Sequence, residues 1–447
     1  MPIYFDATFF SDWTDNENEA NTRSGQYRDA GYDQFVTFSE KSVREELQRV
    51  LDEHDPDIIF FSAISSHIHG EGEYVALQYG LDLMNGLDHR GLVAAGGLQV
   101  TASPELIADN LAGYDLLISG ETDLVLADLA DALKVGRGAE SVPGISYTKE
   151  MGLVLPIKKQ PIISNLDILG RYDYSIFPEE NFFRPYNGSI LRAVDFEISR
   201  GCIYTCSYCV ETVIQRYYGF EDKTNRGALR NWRGYVRCKS PEHAFAEFEY
   251  LHKSLNIQLF RMQDTNFLTI DSATLNGLAE RFEQSSLDIK LYIETRPEGV
   301  NPRTIELLKK LKVDGVGLGI EMATQEFREN ELNRYANQEK ILTAFSLLKE
   351  AGIKRTAYNI IGLPGQDEES IKKTIEFNRM LRPDNITVAY FSPFLGTPAA
   401  GRGSELNIFD QYEFNLDAQL RSTSKSSDLD PKILNYYKNN FVSLVRE

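Results

Sequence analysis

Apolar runs of strand length alternate with helix-length amphipathic segments over the first third of the chain. Asp57–Ile64 is a continuous apolar run, as in a buried parallel strand, and Leu92–Gly97 and Tyr114–Gly120 follow it. One intervening helix is predicted to begin with Ser103 as N-cap and Pro104 at its first position. This alternation predicts a doubly wound parallel sheet of α/β class, in which ligands bind at the carboxyl ends of the strands.

Six further strand-like runs follow from about residue 190, and helix-length segments separate them. They are Val194–Ile198, Ile257–Asp264, Ile289–Arg296, Gly315–Glu321, Lys354–Gly362 and Asn385–Phe391. Six strand–helix units in sequence predict a parallel barrel that is partly open, with its site at the carboxyl ends of the strands.

These patterns divide the chain into four parts. We predict a Rossmann-like domain over residues 1–138, a linker over 139–187, a partial (β/α)6 barrel over 188–400 and a helical tail over 401–447. Repeated prolines argue against one regular element in the linker. A helix predicted over 431–445 in the tail is expected to cover the open edge of the barrel.

Composition and charge narrow the classes of partner. The chain has 447 residues, 42% of them hydrophobic and 25% charged, which suffices for more than one buried core. Its net charge of −19 argues against tight binding to nucleic acid or to an anionic membrane. No basic stretch leads into an apolar segment at the start, and no run approaches the ~18 apolar residues of a membrane span. We therefore expect a cytoplasmic protein.

Three of the four cysteines lie close together just after the Val194–Ile198 run, in the spacing C-x3-C-x2-C. They are Cys202, Cys206 and Cys209. Disulfide frameworks use even pairs and structural zinc uses four ligands, so a compact trio suits neither. Three thiolates on one loop can hold three irons of a [4Fe-4S] cluster and leave the fourth iron open. The alternative is three incidental buried cysteines.

The segment Ser199–Cys209, with Tyr208 before the last cysteine, resembles the signature of the radical S-adenosylmethionine (SAM) superfamily, and this resemblance makes Tyr208 a candidate cofactor contact. In that family the open iron binds the amino and carboxylate groups of SAM, and an electron from the cluster cleaves SAM to a 5′-deoxyadenosyl radical. The resemblance extends over about residues 190–400. It also implies an oxygen-sensitive cluster, which favours a reducing compartment, and a reductant such as flavodoxin or ferredoxin that supplies the electron.

The segment Asp55–Leu133 resembles the cobalamin-binding domain of the B12-dependent branch of that superfamily. The matching features are the strand start Pro56–Asp57, the glycines Gly96 and Gly97 followed by Thr101 and Pro104–Glu105, and the strand from Asp115 that ends in Ser119–Glu121. In such domains the glycines let the backbone approach the nucleotide tail of the cofactor. Ser65 and His67, on the loop after the first strand, are candidate contacts, although His67 could simply hydrogen-bond within its loop. The segment lacks the D-x-H-x-x-G signature of other cobalamin proteins, and a Rossmann-like domain can also lose its cofactor while keeping its sheet.

Polar residues end the barrel strands where apolar ones would be expected. By resemblance, Asp264 would bind the SAM amino group, Glu321 the ribose, and Gly362 would begin a Gly-x-Pro-Gly turn near the adenine. Glu294 and Arg296 could together hold a carboxylate or a ribose. For each residue the alternative is a solvated strand end or a structural salt bridge.

The leading functional hypothesis is a cobalamin-dependent radical SAM methyltransferase that acts on an unactivated carbon of a small molecule in secondary metabolism. One alternative is a dehydratase, epimerase or cyclase with a vestigial cobalamin domain, and another is a non-enzymatic iron–sulfur sensor. The fourth cysteine, Cys238, is a candidate catalytic donor of a hydrogen atom or proton, or else a small apolar residue.

Overall fold

The computed structural model describes residues 2–13, 24–26, 30–63, 73–149, 152–154, 158–391, 394, 396–405 and 427–447. Ser65 and His67, predicted as cofactor contacts, lie outside the described residues. Within the described residues the chain forms a five-stranded sheet, then a seven-stranded sheet, and a two-stranded ribbon beside the second.

The first sheet is sequential. Its strands are β1 (Ile58–Ala63), β2 (Leu92–Gly97), β3 (Leu116–Ile118), β4 (Ile145–Lys149) and β5 (Gly152–Val154). The first three are parallel and the last two antiparallel, and their order across the sheet is their order along the chain. A doubly wound sheet reverses its strand order. That part of our prediction is wrong for the described residues, because no described strand pairs with the free edge of β1 and an antiparallel hairpin extends the sheet beyond β3.

Helices cover both faces of this sheet. They are α1 (Val43–His54), α2 (Glu73–Met84), α3 (Leu98–Ala102), α4 (Pro104–Asn110) and α5 (Thr122–Lys134). Val93 and Ala95 of β2 pack with Leu77 of α2 on one face, while Ala94 packs with Val125 of α5 on the other. Successive side chains of a strand point to opposite faces, so the apolar run at β2 reflects burial on both sides.

The second sheet confirms the predicted order of six parallel strands. Its strands are β6 (Phe183–Tyr186), β7 (Ser189–Phe196), β10 (Leu259–Met262), β11 (Lys290–Thr295), β12 (Val313–Glu321), β13 (Lys354–Ile361) and β14 (Asn385–Tyr390). From β7 to β14 the strands are parallel and in chain order, and β6 is an antiparallel addition at the β7 edge. The short strands β8 (Ser199–Arg200) and β9 (Arg237–Cys238) form the ribbon.

One face of the second sheet is packed with helices and the other is concave. The helices that follow β7 along the chain are α6 (Glu211–Tyr217), α7 (Pro241–Leu255), α8 (Ser272–Gln284), α9 (Pro302–Lys310), α10 (Gln325–Asn330), α11 (Gln338–Glu350), α12 (Glu368–Leu381), α13 (Pro398–Glu405) and α14 (Pro431–Arg446). Val316, Leu318 and Ile320 of β12 join the main apolar core. The alternating residues of β12 include Gly315 and Gly317, where a Cβ would approach tyrosine side chains on the concave face.

Helix α14 packs on α12 and on the edge strand β14, in keeping with the expectation that the tail covers this edge. The backbone of Val388 in β14 is bonded on its open side, since its N–H donates to Gln26 Oε1 at 2.8 Å and its carbonyl accepts from Lys438. Covering an edge strand in this way removes a surface for unwanted pairing. None of the helices in the described residues is both long enough and apolar enough to cross a bilayer.

Candidate active site

The three clustered cysteines lie between β8 and α6, directly beyond the first parallel strand of the barrel sheet. Gly201 begins the loop with a φ of +89°, and a Cβ there would stand 2.5 Å from the carbonyl oxygen of Tyr235. The chain therefore needs glycine at this turn. Cys202 and Cys206 are buried, Cys209 is partly exposed, and all three are free thiols. The loop presents three reduced sulfurs at the carboxyl end of the sheet.

Helix α6 fixes the start of the cysteine loop. Glu211 Oε1 accepts the N–H of Cys202 at 2.9 Å and the hydroxyl of Tyr235 at 2.7 Å. Gln215 Nε2 donates to the carbonyl oxygens of Cys202 and Tyr204, each at 2.9 Å. Residues four apart lie on the same side of a helix, so Glu211 and Gln215 act together. These buried hydrogen bonds set the backbone of the loop with protein groups alone.

The other side of the loop is tied to the segment that follows α10 and to α13. Asn333 Nδ2 donates to the carbonyl oxygen of Thr205 at 2.7 Å, and the N–H of Ser207 donates to the carbonyl oxygen of Leu332 at 3.1 Å. The carbonyl oxygen of Ser207 in turn accepts the N–H of Ala399 at 3.0 Å. No pattern in the sequence indicates these contacts, because the residues lie in segments far apart in the chain.

Tyr208 and Glu321, both predicted as cofactor contacts, meet beneath the loop. The hydroxyl of Tyr208 donates to Glu321 Oε1 at 3.0 Å. Arg334, which the sequence analysis missed, donates to the Tyr208 hydroxyl at 2.9 Å and lies 3.2 Å from Glu321 Oε1. Glu321 has a φ of +62°, a conformation that side chains rarely adopt. Strain of this kind concentrates at functional sites.

Arg296 and Glu294, predicted as a joint site for a carboxylate or a ribose, contact different groups of the protein. Arg296 Nη1 lies 3.6 Å from Cys206 Sγ, and its guanidinium forms an ion pair with Glu298. Glu294 instead accepts the hydroxyl of Tyr358 at 3.0 Å on the concave face. The two side chains have separate partners within the protein, and the joint carboxylate or ribose site stays a prediction.

Asp264, at the carboxyl end of β10, is 1% exposed. Its Oδ1 accepts the N–H of Ile198 at 3.2 Å and the hydroxyl of Ser199, which fastens the turn into the cysteine loop. Its Oδ2 is buried and has no hydrogen-bond partner within the protein. Burial raises the pKa of Asp264 to about 7. The carboxyl group thus keeps one oxygen available to a ligand.

The raised pKa of Asp264 predicts a pH-dependent stability. Between the ordinary value of 3.8 and about 7, the folded protein binds this proton more tightly than the unfolded chain. The free energy of unfolding therefore falls as pH rises through this range, by at most about 1.4 kcal/mol per pH unit from this group. Asp264→Asn removes that slope. Urea unfolding of both proteins at pH 5 and pH 8 measures this effect. The free energy of unfolding of the variant, relative to that of the wild type, should be higher at pH 8 than at pH 5. An equal difference between the two proteins at both pH values would contradict this assignment.

Cys238 and Gly362 have contacts with residues other than the cysteine trio. Cys238, in β9 opposite Ser199, packs against the main apolar core, and burial raises the pKa of its thiol. These contacts suit a small apolar residue. Gly362 has a φ of +79°, and its N–H donates to Gln366 Oε1 at 2.6 Å, which closes the turn after β13. The roles predicted for these two residues in catalysis and adenine binding remain predictions.

The two glycines at the end of β2 have different roles. A Cβ on Gly96 would stand 2.6 Å from Thr122 Cγ2, so glycine is required there for packing on α5. Gly97 has a φ of +126°, a conformation open in practice only to glycine. Thr101 Oγ1 donates to the carbonyl oxygen of Gly97 and accepts the N–H of Gly120, each at 2.8 Å. The ends of β2 and β3 are thereby tied together.

The carboxyl ends of the strands of the first sheet lie against α6. The hydroxyl of Tyr217 donates to the carbonyl oxygen of Ser119 at 3.4 Å, and the hydroxyl of Tyr218 accepts the N–H of Glu121 at 3.1 Å. Both tyrosines are at the end of the helix that begins two residues after Cys209. One short helix therefore separates the edge of the first sheet from the cysteine loop.

Two arginines of the β8–β9 ribbon join the first sheet to the cysteine loop. Arg200 Nη1 lies 2.7 Å from Asp123 Oδ2, and Arg237 Nη1 lies 2.8 Å from Glu121 Oε1. All four side chains are largely buried, which protects these ion pairs from screening by salt. Because Arg200 is two residues before Cys202, these contacts fix the first domain to the start of the loop.

The donor set suits an iron–sulfur cluster. Three free thiols lie on one loop, and the buried Oδ2 of Asp264 beside the start of that loop has no partner. Among the residues that the structure describes, no three His, Cys, Asp or Glu side chains are close enough to share a single ion. A four-iron cluster does not need such a group, because each thiolate binds a different iron.

Comparisons with known proteins agree with this geometry. Residues 196–377 match the family model of the Radical SAM superfamily. An uncharacterized methyltransferase of Pyrococcus horikoshii is 25% identical over 370 residues, covering 82% of this chain and 72% of its own length. An anaerobic magnesium-protoporphyrin IX monomethyl ester cyclase of Rubrivivax gelatinosus is 24% identical over 432 residues, covering 94% of this chain and 72% of its own length.

A solved structure shares the fold. The radical SAM methyltransferase TsrM of Kitasatospora setae, with cobalamin and a [4Fe-4S] cluster bound, superposes with a TM-score of 0.62 at 16% identity. The match covers 84% of this chain and 71% of that chain. The likeness confirms the partial barrel with its open, curled sheet.

Proposed function

Because the chain carries a radical SAM domain over residues 196–377, we propose that it is a cobalamin-dependent radical SAM methyltransferase that acts on an unactivated carbon of a small molecule. The observation that carries this proposal is the trio of free thiols held at the carboxyl end of a partial barrel. Barrel enzymes build their active sites at this end of the sheet. A one-electron reductant such as flavodoxin or ferredoxin would be required.

Cys202, Cys206 and Cys209 would hold three irons of a [4Fe-4S] cluster. When bound, the cluster and SAM supply a 5′-deoxyadenosyl radical that removes a hydrogen atom from the substrate. The protein contributes binding, orientation and exclusion of water. Glu211 and Gln215 support this role, because their buried hydrogen bonds hold the loop in place before any cofactor binds.

Two carboxylates are the proposed contacts for SAM. Asp264 Oδ2, buried and without a partner, would accept the SAM amino group. Glu321 Oε1 is already engaged by Tyr208 and Arg334, so a ribose hydroxyl would bind its other oxygen, Oε2. The Tyr208 and Arg334 contacts keep this carboxylate oriented beneath the cysteine loop.

The concave face of the sheet is the proposed substrate surface. Tyr292 and Tyr358 lie on either side of β12, with their hydroxyls 2.7 Å apart, and Tyr358 also donates to Glu294. Gly317 makes room for this arrangement, since a Cβ there would stand 2.5 Å from the Tyr358 ring. These partly exposed polar groups face the space enclosed by the curled sheet.

The carboxyl ends of the strands of the first sheet would bind cobalamin. Three observations support this proposal. Gly97 has a conformation open in practice only to glycine, and Thr101 joins the ends of β2 and β3. Helix α6, which contacts this part of the first sheet, is also close to the cysteine loop. Tyr217 and Tyr218 cover the end of β3. A corrinoid would therefore occupy the ends of β1 and β2. The solved structure of TsrM, which shares the fold, has cobalamin and a [4Fe-4S] cluster bound.

Retention of cobalamin tests this proposal. We expect anaerobically purified wild type, loaded with hydroxocobalamin and desalted, to keep about one corrinoid per chain, read from its visible absorbance. Gly97→Ala should lose most of it while keeping its iron, because a Cβ cannot be accommodated at that φ without moving the backbone. Gly136→Ala is the matched control, since Gly136 also has a positive φ and a Cβ there would meet nothing within 4 Å.

A wild type that holds its iron but no corrinoid would contradict the methyltransferase proposal and leave a radical reaction without methyl transfer. The similarity to a ring-forming cyclase gives that second candidate specific support. A product heavier by one CH2 group would identify methyl transfer, whereas a cyclase would give a product without that added mass.

A further inference from the structure

One guanidinium is in direct contact with a cysteine of the loop. Arg296 Nη1 lies 3.6 Å from Cys206 Sγ. The Arg296 guanidinium carbon also lies 3.7 Å from the centre of the Tyr204 ring, in the same loop. Nη2 pairs with Glu298, and Arg296 as a whole is 7% exposed. The guanidinium is therefore held on three sides, by a thiol, an aromatic ring and a carboxylate.

The three thiols have unequal surroundings. Cys202 Sγ accepts a backbone N–H, that of Tyr204, at 3.4 Å. Cys206 Sγ is the acceptor of the charged donor Arg296. Hydrogen bonds from charged donors are stronger than those from neutral donors, and electrostatic effects are larger in a buried site than in water. Cys206 is thus the sulfur on which added negative charge is best stabilised.

We propose that Arg296 is a positioning residue that raises the reduction potential of the cluster by placing its positive charge on the Cys206 thiolate. This inference rests on the proposed function, since it requires a cluster on the three cysteines. Reduction adds one electron to the cluster and forms no bond. A fixed cation beside a cluster sulfur stabilises the reduced, more negative state more than the oxidised state, and hydrogen bonds to the sulfurs are known to set cluster potentials.

Glu298 opposes this effect. Its carboxylate pairs with the side of the guanidinium that faces away from Cys206, since Nη1 contacts the sulfur and Nη2 the carboxylate. Removal of the negative charge at Glu298 should therefore raise the potential, whereas removal of the positive charge at Arg296 should lower it. Opposite shifts from two adjacent residues are the signature of an electrostatic role, which loss of structure alone would not produce.

The test is an anaerobic potentiometric titration with dithionite, in which the reduced cluster is followed by its electron paramagnetic resonance signal. Arg296→Met keeps an unbranched side chain against Tyr204 but lacks the charge. We expect the ratio of reduced to oxidised cluster at a fixed potential to fall about tenfold, equivalent to about 59 mV for one electron. Arg296→Lys, which keeps the charge, should recover part of the shift.

Arg261→Met is the matched control, because it removes an arginine of β10 that forms an ion pair with Asp195 at 3.8 Å. It should leave the potential unchanged. A fully loaded Arg296→Met protein with the wild-type potential would overturn the proposal. If Arg296→Met cannot hold iron, Glu298→Gln tests the proposal instead. A reduction potential of that variant equal to or below the wild-type value would overturn the proposal.

The failures of the two proposals are distinguishable. If the wild type holds no cluster, the proposed function is wrong and this inference falls with it. If the wild type holds a cluster that cleaves SAM and Arg296→Met has the same potential, only the role of Arg296 is wrong.

Discussion

Replacing Cys206 by alanine should abolish the iron–sulfur cluster. Wild type reconstituted under anaerobic conditions should contain about four irons per chain, and Cys206→Ala fewer than about one, because the cluster would keep only two protein ligands. Glu211 and Gln215 hold the loop through contacts that do not involve Cys206, so the variant should remain folded. Iron and acid-labile sulfide analysis of the two proteins measures the difference.

The fourth cysteine provides the matched control for this experiment. Cys238 packs against the main apolar core, and its strand partner is Ser199. Cys238→Ser should therefore keep the full iron content. A Cys206→Ala protein that holds as much iron as Cys238→Ser would contradict the assignment of the cysteine trio.

The second large effect concerns stability. Lys239 and Glu247 form an ion pair at 2.5 Å with side chains only 1% and 3% exposed. Lys239 directly follows β9, and its N–H donates to the carbonyl oxygen of Ile198, so the pair anchors the ribbon that leads into the cysteine loop. Lys239→Met would leave this buried carboxylate with His243, whose Nε2 lies 3.8 Å from Glu247 Oε1, as its remaining basic neighbour. This loss should cost about 3–5 kcal/mol in the free energy of unfolding.

A second substitution and a change of pH test this explanation. Lys239→Met combined with Glu247→Leu should recover most of the lost stability, because neither side chain then carries a charge. Burial already raises the pKa of Glu247. A carboxyl group whose pKa is raised by folding makes the folded protein less stable as pH rises. The single variant should therefore be less stable at pH 8 than at pH 5. Urea unfolding measures both effects, and a single variant within 1 kcal/mol of wild type would contradict the account.

The apolar pattern predicted the sheets well and their assembly less well. Each of the six barrel runs is a parallel strand, in the predicted order, because one face of each strand packs against an apolar core and its apolar residues therefore recur within a strand-length run. Our prediction of the strand order in the first sheet was wrong for the described residues, since the pattern of one strand does not specify which neighbour it pairs with. The antiparallel hairpin beyond β3 depends on pairing between Ile118 and Ile145, and no local pattern encodes it.

The residues of the candidate site were likewise only partly predictable from the sequence. Cys202, Cys206 and Cys209 could be identified because their chemistry depends on local spacing, which the sequence displays directly. Arg296 and Glu294 were named as a pair because they occupy alternate positions at one strand end. Their partners within the protein, Cys206 and Tyr358, come from segments distant in the chain.

Glycine made one of these long-range contacts possible. Tyr358 on β13 reaches Glu294 on β11 across β12, where Gly317 has no side chain to block it. The sequence displays the glycine, but its purpose depends on the tyrosine that lies over it. Arg334 was missed for a similar reason, since it belongs to an aperiodic segment and acquires its role only from Tyr208 and Glu321.

Cleavage of SAM is the most direct test of the central claim that the three cysteines form the radical-generating site of this protein. Wild type with about four irons per chain, incubated anaerobically with SAM and dithionite, should form 5′-deoxyadenosine, as measured by liquid chromatography and mass spectrometry. Cys206→Ala under the same conditions should form none above the protein-free background. A fully loaded wild type that forms no more 5′-deoxyadenosine than Cys206→Ala would contradict the claim.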